Sequence, residues 1–521
     1  MLDGVLELEP DTPRAEREKS VNFDRIGDRW LLLGDTKRAL KVYEQSLTIR
    51  LKLARDETNA RAQDDLAVSY VKLGDVCVRQ GDLAGAREVY EKSLAIFLKL
   101  ARDESDALAQ HNLSVSYSKL GAVRMTMNDL AGAREAYENG LAIRLKLARD
   151  ENNADAQRDL AFGYDDLGDV RKAMTGLTAA REAYEKSLAI RLKLARDETN
   201  AQAQHDLSVS YERLGEVHVA QGDLAGAREV YEKSLAIAVK LARDESNTEV
   251  QGDLPPSYVR LGDVRVAQGD LAGAREAYEK ALAIALKLAR DETNARAQHN
   301  LSVTDERLGD IRMEMNDLAG AREFYEKALA IALKLARDET NAQAQRQLWI
   351  SWKKLGSVRA KLNDPAGAHE AYEKGLAICE RFLRTHPGDR EFLSLRDQAQ
   401  LGLASSLARL GDHARASRVA GEVAERSQGS IQTIYDAACA FSLSASSASR
   451  DEKLSAQEKS RLADQYAARA LELLKRLQAA LDFKNPQNLK FLKKDTDLDA
   501  LRGRDDFKKF VAEIEAGTKP N

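Results

Sequence analysis

Histidine and cysteine, the side chains most often used for metal binding and nucleophilic catalysis, are few and scattered in this sequence. His111, His205 and His299 recur at a constant, long interval, and the cysteines are Cys77, Cys379 and Cys439. Metal ligands in proteins are usually grouped at short spacings, so the sequence predicts no metal site and histidines that are solvated helix residues. Three widely spaced cysteines predict no disulfide framework and a reducing, cytoplasmic location.

Sequence motifs of enzymes are also missing. The chain contains no His-Glu-x-x-His, no phosphate-binding loop, no paired-cysteine motif, and neither the His-Arg-Asp nor the Asp-Phe-Gly of kinases. We therefore expect a protein that is not an enzyme, with no catalytic residue and no cofactor.

Carboxylates, in contrast, recur at one position every 47 residues. The position holds Asp28, Asp75, Asp169, Glu216, Asp263 and Asp310, with Ala122 and Ser357 as exceptions. Such a row of acids would attract a cationic partner. A basic residue stands three positions before several of these acids, as in Lys72, Arg213, Arg260 and Arg307. The row is therefore open to a second interpretation, in which the acids are neutralised within the protein.

The same period governs glycine, tyrosine and alanine. Gly27, Tyr43 and Ala39 each recur eight times in strict register, ending at Gly356, Tyr372 and Ala368. Within one unit the apolar residues follow helical spacing twice, which predicts two helices per unit of roughly 20 residues each. Between them Gly81-Asp82 predicts a left-handed cap followed by an N-cap. Asn128, Asn316 and Asn363 replace that glycine in other units, and Pro365 follows at a first helical position.

These residues resemble the tetratricopeptide repeat family. Trp352, Leu355 and Gly356 match the opening of the family pattern, and Ala368 with Tyr372 match its later part. The resemblance implies an all-α, right-handed solenoid of antiparallel helix pairs. The unit is longer than the family's usual 34 residues or so, and we place the excess in both helices. We expect an elongated monomer.

The resemblance also implies a binding groove lined by the first helix of each pair. The matching positions are Asp75, Asp169, Glu216, Asp263, Asp310, Val78, Met125, Val219, Val266 and Met313. Acids at these positions predict a protein or peptide partner with a basic, extended or helical segment. The methionines have a second interpretation as core residues.

The predicted organisation has four parts. Residues 1–13 form a partial helix of a truncated repeat, and residues 14–387 form eight repeats. Residues 388–484 form two degenerate repeats with a Ser-rich loop at 442–460, and residues 485–521 form capping helices that begin at Asn485-Pro486. Pro255 and Pro256 are expected to kink or restart the helix that contains them.

Two classes of function remain open from the sequence. The first is a non-catalytic protein-interaction scaffold. The second is the regulatory array of a multidomain enzyme, because the C-terminal tail resembles the end of bacterial, planctomycete-type repeat proteins, some of which are fused to serine/threonine kinases. The net charge of −4 argues against nucleic acid as a partner. The sequence contains no apolar stretch long enough to cross a membrane.

Overall fold

The computed structural model describes residues 12–174, 176–243, 248–339, 341–426, 430–477, 489 and 492–517. The expected partial helix over residues 1–13 lies outside this part, except that Thr12 and Pro13 cap and begin the first helix. The chain divides into two compact units, one of residues 1–311 with 334–343 and one of residues 312–333 with 344–521. Every regular element among the described residues is helical, which confirms an all-α repeat solenoid of consecutive helix pairs.

The odd-numbered helices up to α15 are called A helices here, and their even-numbered partners up to α16 are called B helices. The bounds are α1 Pro13–Leu32, α2 Thr36–Leu53, α3 Ala60–Gln80, α4 Leu83–Leu100, α5 Ala107–Thr126, α6 Leu130–Leu147, α7 Ala154–Met174, α8 Leu177–Leu194, α9 Ala201–Ala220, α10 Leu224–Leu241, α11 Thr248–Ala267, α12 Leu271–Leu288, α13 Ala295–Glu314, α14 Leu318–Leu335, α15 Ala342–Lys361, α16 Pro365–Thr385, α17 Arg390–Arg409, α18 His413–Arg426, α19 Ile431–Arg450 and α20 Ala456–Leu477. A 3-10 turn at Thr496–Leu498 precedes α21 Asp499–Arg502 and α22 Asp505–Gly517.

The two helices of a repeat meet where a tyrosine ring covers a glycine. In the second repeat the ring of Tyr90 lies directly against Gly74, and Ala86, one turn before the tyrosine, has no exposed surface. A side chain at the glycine would occupy the space that the ring fills. The repeating glycine, tyrosine and alanine of the sequence are therefore one packing contact that is copied along the chain.

The turn between the helices follows the chemistry that its residues predict. Gly81 has a φ of 79°, and Asn128, Asn316 and Asn363 replace it with φ between 59° and 62°. Asp82 then caps the B helix by accepting a hydrogen bond from the backbone N–H of Gly85 at 2.9 Å. The prediction of a left-handed cap followed by an aspartate N-cap is confirmed.

The sequence predicts that the double proline kinks or restarts its helix, and the predicted restart is wrong. α11 runs from Thr248 to Ala267 with Pro255 and Pro256 inside it. Proline 256 has no N–H to donate to the carbonyl oxygen of Gly252, four residues earlier. Asn300, on the next A helix, donates its side-chain amide to that oxygen at 2.9 Å. A neighbouring repeat thus supplies one of the hydrogen bonds that the prolines remove.

The Ser-rich loop predicted at 442–460 is also wrong. Residues 442–450 continue α19, and α20 begins at Ala456, so only a short connection separates them. Ser442 and Ser444 are fully buried, and Ser444 donates to the carbonyl oxygen of Ala440 at 2.8 Å. A small hydroxyl side chain that donates to its own helix backbone, as that of Ser444 does, packs against a neighbouring helix as alanine would. Serine content alone was a poor loop signal for this reason.

The C-terminal residues share one apolar core with α17 to α20. Phe507, Phe510 and Ile514 of α22 are each at most 4% exposed within the cluster that contains Leu473 and Leu474. Residues Asn485 and Pro486, the expected start of the capping segment, lie outside the described residues. A capping role for α22 remains a prediction that this packing supports.

We predict that Gly121→Ala destabilises the protein. A Cβ atom at Gly121 would lie 2.5 Å from the ring of Tyr137, so the ring must shift out of a packed position. Such overpacking costs about 1–3 kcal/mol of unfolding free energy. Gly388→Ala is the control, because nothing lies within 4 Å of a Cβ at that site. Urea denaturation followed by circular dichroism measures both, and equal midpoints would contradict the prediction.

We also predict that the cost of Asn300→Ala depends on Pro256. In the natural sequence the substitution leaves the Gly252 oxygen without its side-chain donor, at a cost of about 1–3 kcal/mol. In a Pro256→Val background the helix regains its own N–H donor, and the same substitution is expected to cost less. A double-mutant cycle on denaturation midpoints gives the coupling. Additive effects of the two substitutions would show that they act independently.

Candidate functional site: the A-helix face

Asp75, Asp169 and Asp263 of the predicted groove are anchored by the repeat tyrosines. Tyr90 donates its hydroxyl hydrogen to Asp75 at 2.6 Å, and the same contact links Tyr278 to Asp263 at 2.6 Å. Burial, followed by the charge of Asp75, raises the pKa of Tyr90, so the phenol stays protonated and remains a donor. The packing residue of the repeat thus also positions its carboxylate.

Most of these acids also meet a cation from a neighbouring repeat. Lys119 of the following repeat bonds Asp75 at 2.7 Å. The pattern holds for Lys72 with Asp28, Arg213 with Asp169, and Arg307 with Asp263, at 2.6 to 2.9 Å. Glu216 pairs instead with Lys172 of the preceding repeat, and Asp310 lies 3.6 Å from Arg307.

The row of acids is interrupted at Ala122, and the position that would hold its partner cation in the following repeat is changed as well. The cation expected on the following repeat is replaced by Asp166, which accepts a hydrogen bond from Ser118 at 2.7 Å and pairs with Arg144 at 3.4 Å. An acid and its partner cation are therefore lost together. This coupled change indicates that the ion pairs are part of repeat-to-repeat packing.

The carboxylates nevertheless remain accessible beside apolar residues. The side chain of Asp75 is 35% exposed and that of Asp263 is 42% exposed. Val78 and Val219 are exposed, at 39% and 40%. Of the other predicted positions, Val266, Met125 and Met313 are half-buried, and Met125 packs against the apolar core around Leu160 and Leu167. These methionines are therefore partly packed in the core and partly exposed on the surface.

Buried arginines inside the repeats were not found from sequence. Arg191 has no exposed surface, pairs with Asp165 at 2.8 Å and donates to Ser210 at 2.9 Å. Arg50 pairs with Asp24 at 2.7 Å in the same way. Their position holds phenylalanine, alanine or cysteine in most other repeats. The sequence signal for these buried pairs is an arginine at this B-helix position together with an aspartate on the A helix of the same repeat.

A second row of contacts joins successive A helices near their starts. Each pair links residues 48 positions apart, and the chemistry of the two members matches. The pairs are Arg17–Asp65, Asp64–Asn112, His111–Asp159, Arg158–Asp206 and His205–Asp253. The arginine or histidine of a pair contacts an aspartate, whereas Asp64 contacts the side-chain amide of Asn112. We call this row the A–A ladder.

The histidines are accordingly not the solvated residues expected from the sequence. His205 lies 2.8 Å from Asp253, and the carboxylates of Asp206 and Asp253 raise the pKa of His205 to about 10. Burial lowers the pKa of His299. Within the described residues, no three histidine, cysteine or acidic side chains are grouped closely enough to hold a metal ion.

Five segments of the chain match models of the tetratricopeptide repeat, namely residues 67–98, 207–244, 255–287, 306–334 and 398–422. These matches support the assignment of the repeats to the tetratricopeptide repeat family. No curated protein is significantly similar to the chain. In the described part of the chain, no helix is both long and apolar enough to cross a bilayer.

Solved structures with similar folds include the apo form of RapI, at 13% identity and a TM-score of 0.49 over 80% of this chain and 99% of that one. BtubC (BKLC) from P. vanneervenii is 21% identical, with a TM-score of 0.38 over 48% of this chain and 90% of that one. A putative kinesin light chain repeat protein from Podospora anserina is 24% identical, with a TM-score of 0.34 over 44% and 99% of the two chains.

We predict that Asn112→Asp destabilises the A–A ladder in a pH-dependent way. The substitution sets two carboxylates in a contact that now measures 2.9 Å, and burial already raises the pKa of Asp64. A raised pKa means that the folded state binds protons more tightly than the unfolded state. The loss, about 1–3 kcal/mol at neutral pH, should therefore shrink as the pH falls below 5. Denaturation midpoints at pH 4.5 and 7.5 measure it.

The matched rescue is Asp64→Arg combined with Asn112→Asp, which recreates the pairing of Arg158 with Asp206. This double variant should recover most of the stability at pH 7.5. A double variant as unstable as Asn112→Asp alone would show that charge matching is not the cause.

We predict opposite pH responses for His205 and His299. The folded-state pKa of His205 is raised to about 10, so its stabilising contribution is complete below about pH 6.5 and is lost as the pH rises towards 10. The pKa of His299 is lowered, so its contribution is lost as the pH falls below 6.5. Denaturation of His205→Gln and His299→Gln from pH 5 to 9.5, with NMR titration of both rings, tests the two signs.

Proposed function

We propose that this chain is a non-catalytic protein-interaction scaffold that binds a segment of a partner protein along the A-helix face of its first unit. The observation that carries the proposal is the exposure of Val78 and Val219, each three residues after an acid of the row. The acid before Val78 is Asp75, whose carboxylate is held by the buried Tyr90. An apolar residue next to an oriented charge offers both contact area and specificity to a peptide. Recurrence of an exposed apolar residue and an acid in more than one repeat suits an extended or helical segment.

We further propose that the partner segment is basic and that the scaffold acts as a monomer. The pairing of Asp75 with Lys119 lies at the surface, where an ion pair contributes little net free energy. A carboxylate accepts several hydrogen bonds, so a lysine or arginine of the partner can join or replace the internal cation. Charge attraction at such sites is screened beyond about 8–10 Å at physiological salt, which predicts weaker binding as salt rises.

A second form of the proposal makes the array the partner-recognition part of a multidomain signalling enzyme, such as a bacterial serine/threonine kinase. The similarity of the C-terminal tail to the ends of such bacterial proteins favours it. The two forms share the same binding face and differ in what the bound partner is delivered to.

The test compares proteins captured from a lysate by three forms of the full chain. Val78→Lys with Val219→Lys changes the proposed face, and Leu98→Lys with Leu192→Lys is the matched control. The control leucines are 46% and 44% exposed on B helices, so the change in hydrophobicity and charge is of the same kind. Partners identified by mass spectrometry should be depleted about tenfold or more with the first variant only. Equal capture by all three forms would exclude the A-helix face.

A further inference from the structure

Phe162 is the most exposed aromatic side chain among the residues that the structure describes, at 37% exposure. It lies on α7, the fourth of the seven A helices from α1 to α13. The same position in the other six of these repeats holds valine or proline, namely Val21, Val68, Val115, Val209, Pro256 and Val303. An exposed aromatic ring therefore stands near the middle of the A-helix face, where interfaces concentrate their binding energy.

Two arginines hold the ring of Phe162 in place. The guanidinium carbon of Arg191 lies 4.8 Å from the ring centroid, and that of Arg158 lies 5.4 Å from it. Arg191 has no exposed surface and is paired with Asp165 of α7. Arg158 is held by Asp206 of α9 through two of its nitrogens. A ring that is fixed by two ordered cations loses little conformational entropy when a partner covers it.

The first repeat contains the same charged network without the ring. The positions of Arg158, Asp165, Arg191 and Asp206 hold Arg17, Asp24, Arg50 and Asp65 there. These residues form the same two ion pairs. At the position of Phe162 the first repeat has Val21, which is half-buried. A buried arginine is therefore compatible with valine at this position, so the network does not require an exposed ring. The additional apolar surface of Phe162 is available to a partner.

We propose that Phe162 is the anchor of the A-helix face, and that the basic partner segment carries an aromatic side chain that packs on its ring. This assignment rests on the proposed function and adds the chemistry that the partner needs at this position. A cation of the partner is disfavoured on a ring that already has two arginines beside it, whereas an aromatic side chain is favoured there. The cations of the same segment can reach the row of acids, since Asp169 lies two helical turns, about 10 Å, further along α7.

The test uses the full chain and two fluorescein-labelled peptides, with binding followed by fluorescence anisotropy at low salt. The first peptide is Lys-Lys-Lys-Trp-Lys-Lys-Lys, and the second has alanine in place of the tryptophan. The natural sequence should bind the tryptophan peptide about tenfold more tightly, because an aromatic pair adds to the apolar area that is buried. Phe162→Val recreates the arrangement of the first repeat. It should reduce the preference to about twofold and leave the affinity for the alanine peptide unchanged.

Val209→Ala is the control, because it removes apolar surface at the equivalent position of the next A helix and should keep the preference for tryptophan. An equal loss of that preference in the two variants would overturn the role of Phe162. Equal binding of the two peptides by the natural sequence would overturn the anchor and leave a basic partner intact. If Phe162→Val weakened both peptides alike, the ring would be structural, which also overturns the proposal. If neither peptide bound the natural sequence, the proposed basic partner would be contradicted, and the anchor with it.

Discussion

The contact between a tyrosine ring and a glycine is the constraint on which each repeat depends. Tyr90 reaches the backbone of α3 only because Gly74 has no side chain, and this brings the two helices of the repeat together over the buried Ala86. The same ring ends in a hydroxyl group that must find an acceptor, since a buried phenol without one is costly. Asp75 is that acceptor. Packing and the placement of charge on the A-helix face therefore have one origin.

Because most of these acids are also shared with a cation of a neighbouring repeat, the face belongs to the array and not to single repeats. Lys119 reaches Asp75 only when the third A helix is stacked on the second. Repeat proteins gain much of their stability from such neighbour contacts. The A–A ladder adds pairs whose partners change together, as Asp64 with Asn112 and Arg158 with Asp206 illustrate. Copies that are nearly identical in their B helices therefore differ at positions that contact a neighbouring repeat.

This double use of charge bears on how the scaffold can bind. A carboxylate that is held by a tyrosine and one cation keeps its orientation when a partner arrives, so little conformational entropy is lost on binding. Charges satisfied by the array therefore set the geometry of the A-helix face.

The local pattern by itself determined the helix pairs, their turns and the positions of the repeat tyrosines, because helical periodicity, left-handed caps and N-caps act over a few residues. It also located the acids of the A-helix face. What it could not decide is which side chains meet across repeats. The pairing of Lys119 with Asp75, the burial of Arg191 beside Asp165, and the ladder contact of His205 with Asp253 join residues distant in sequence. The helical course of α11 through two prolines likewise involves Asn300 of the following repeat. Only the stacked array brings these groups within a few ångströms, where desolvation and charge matching act.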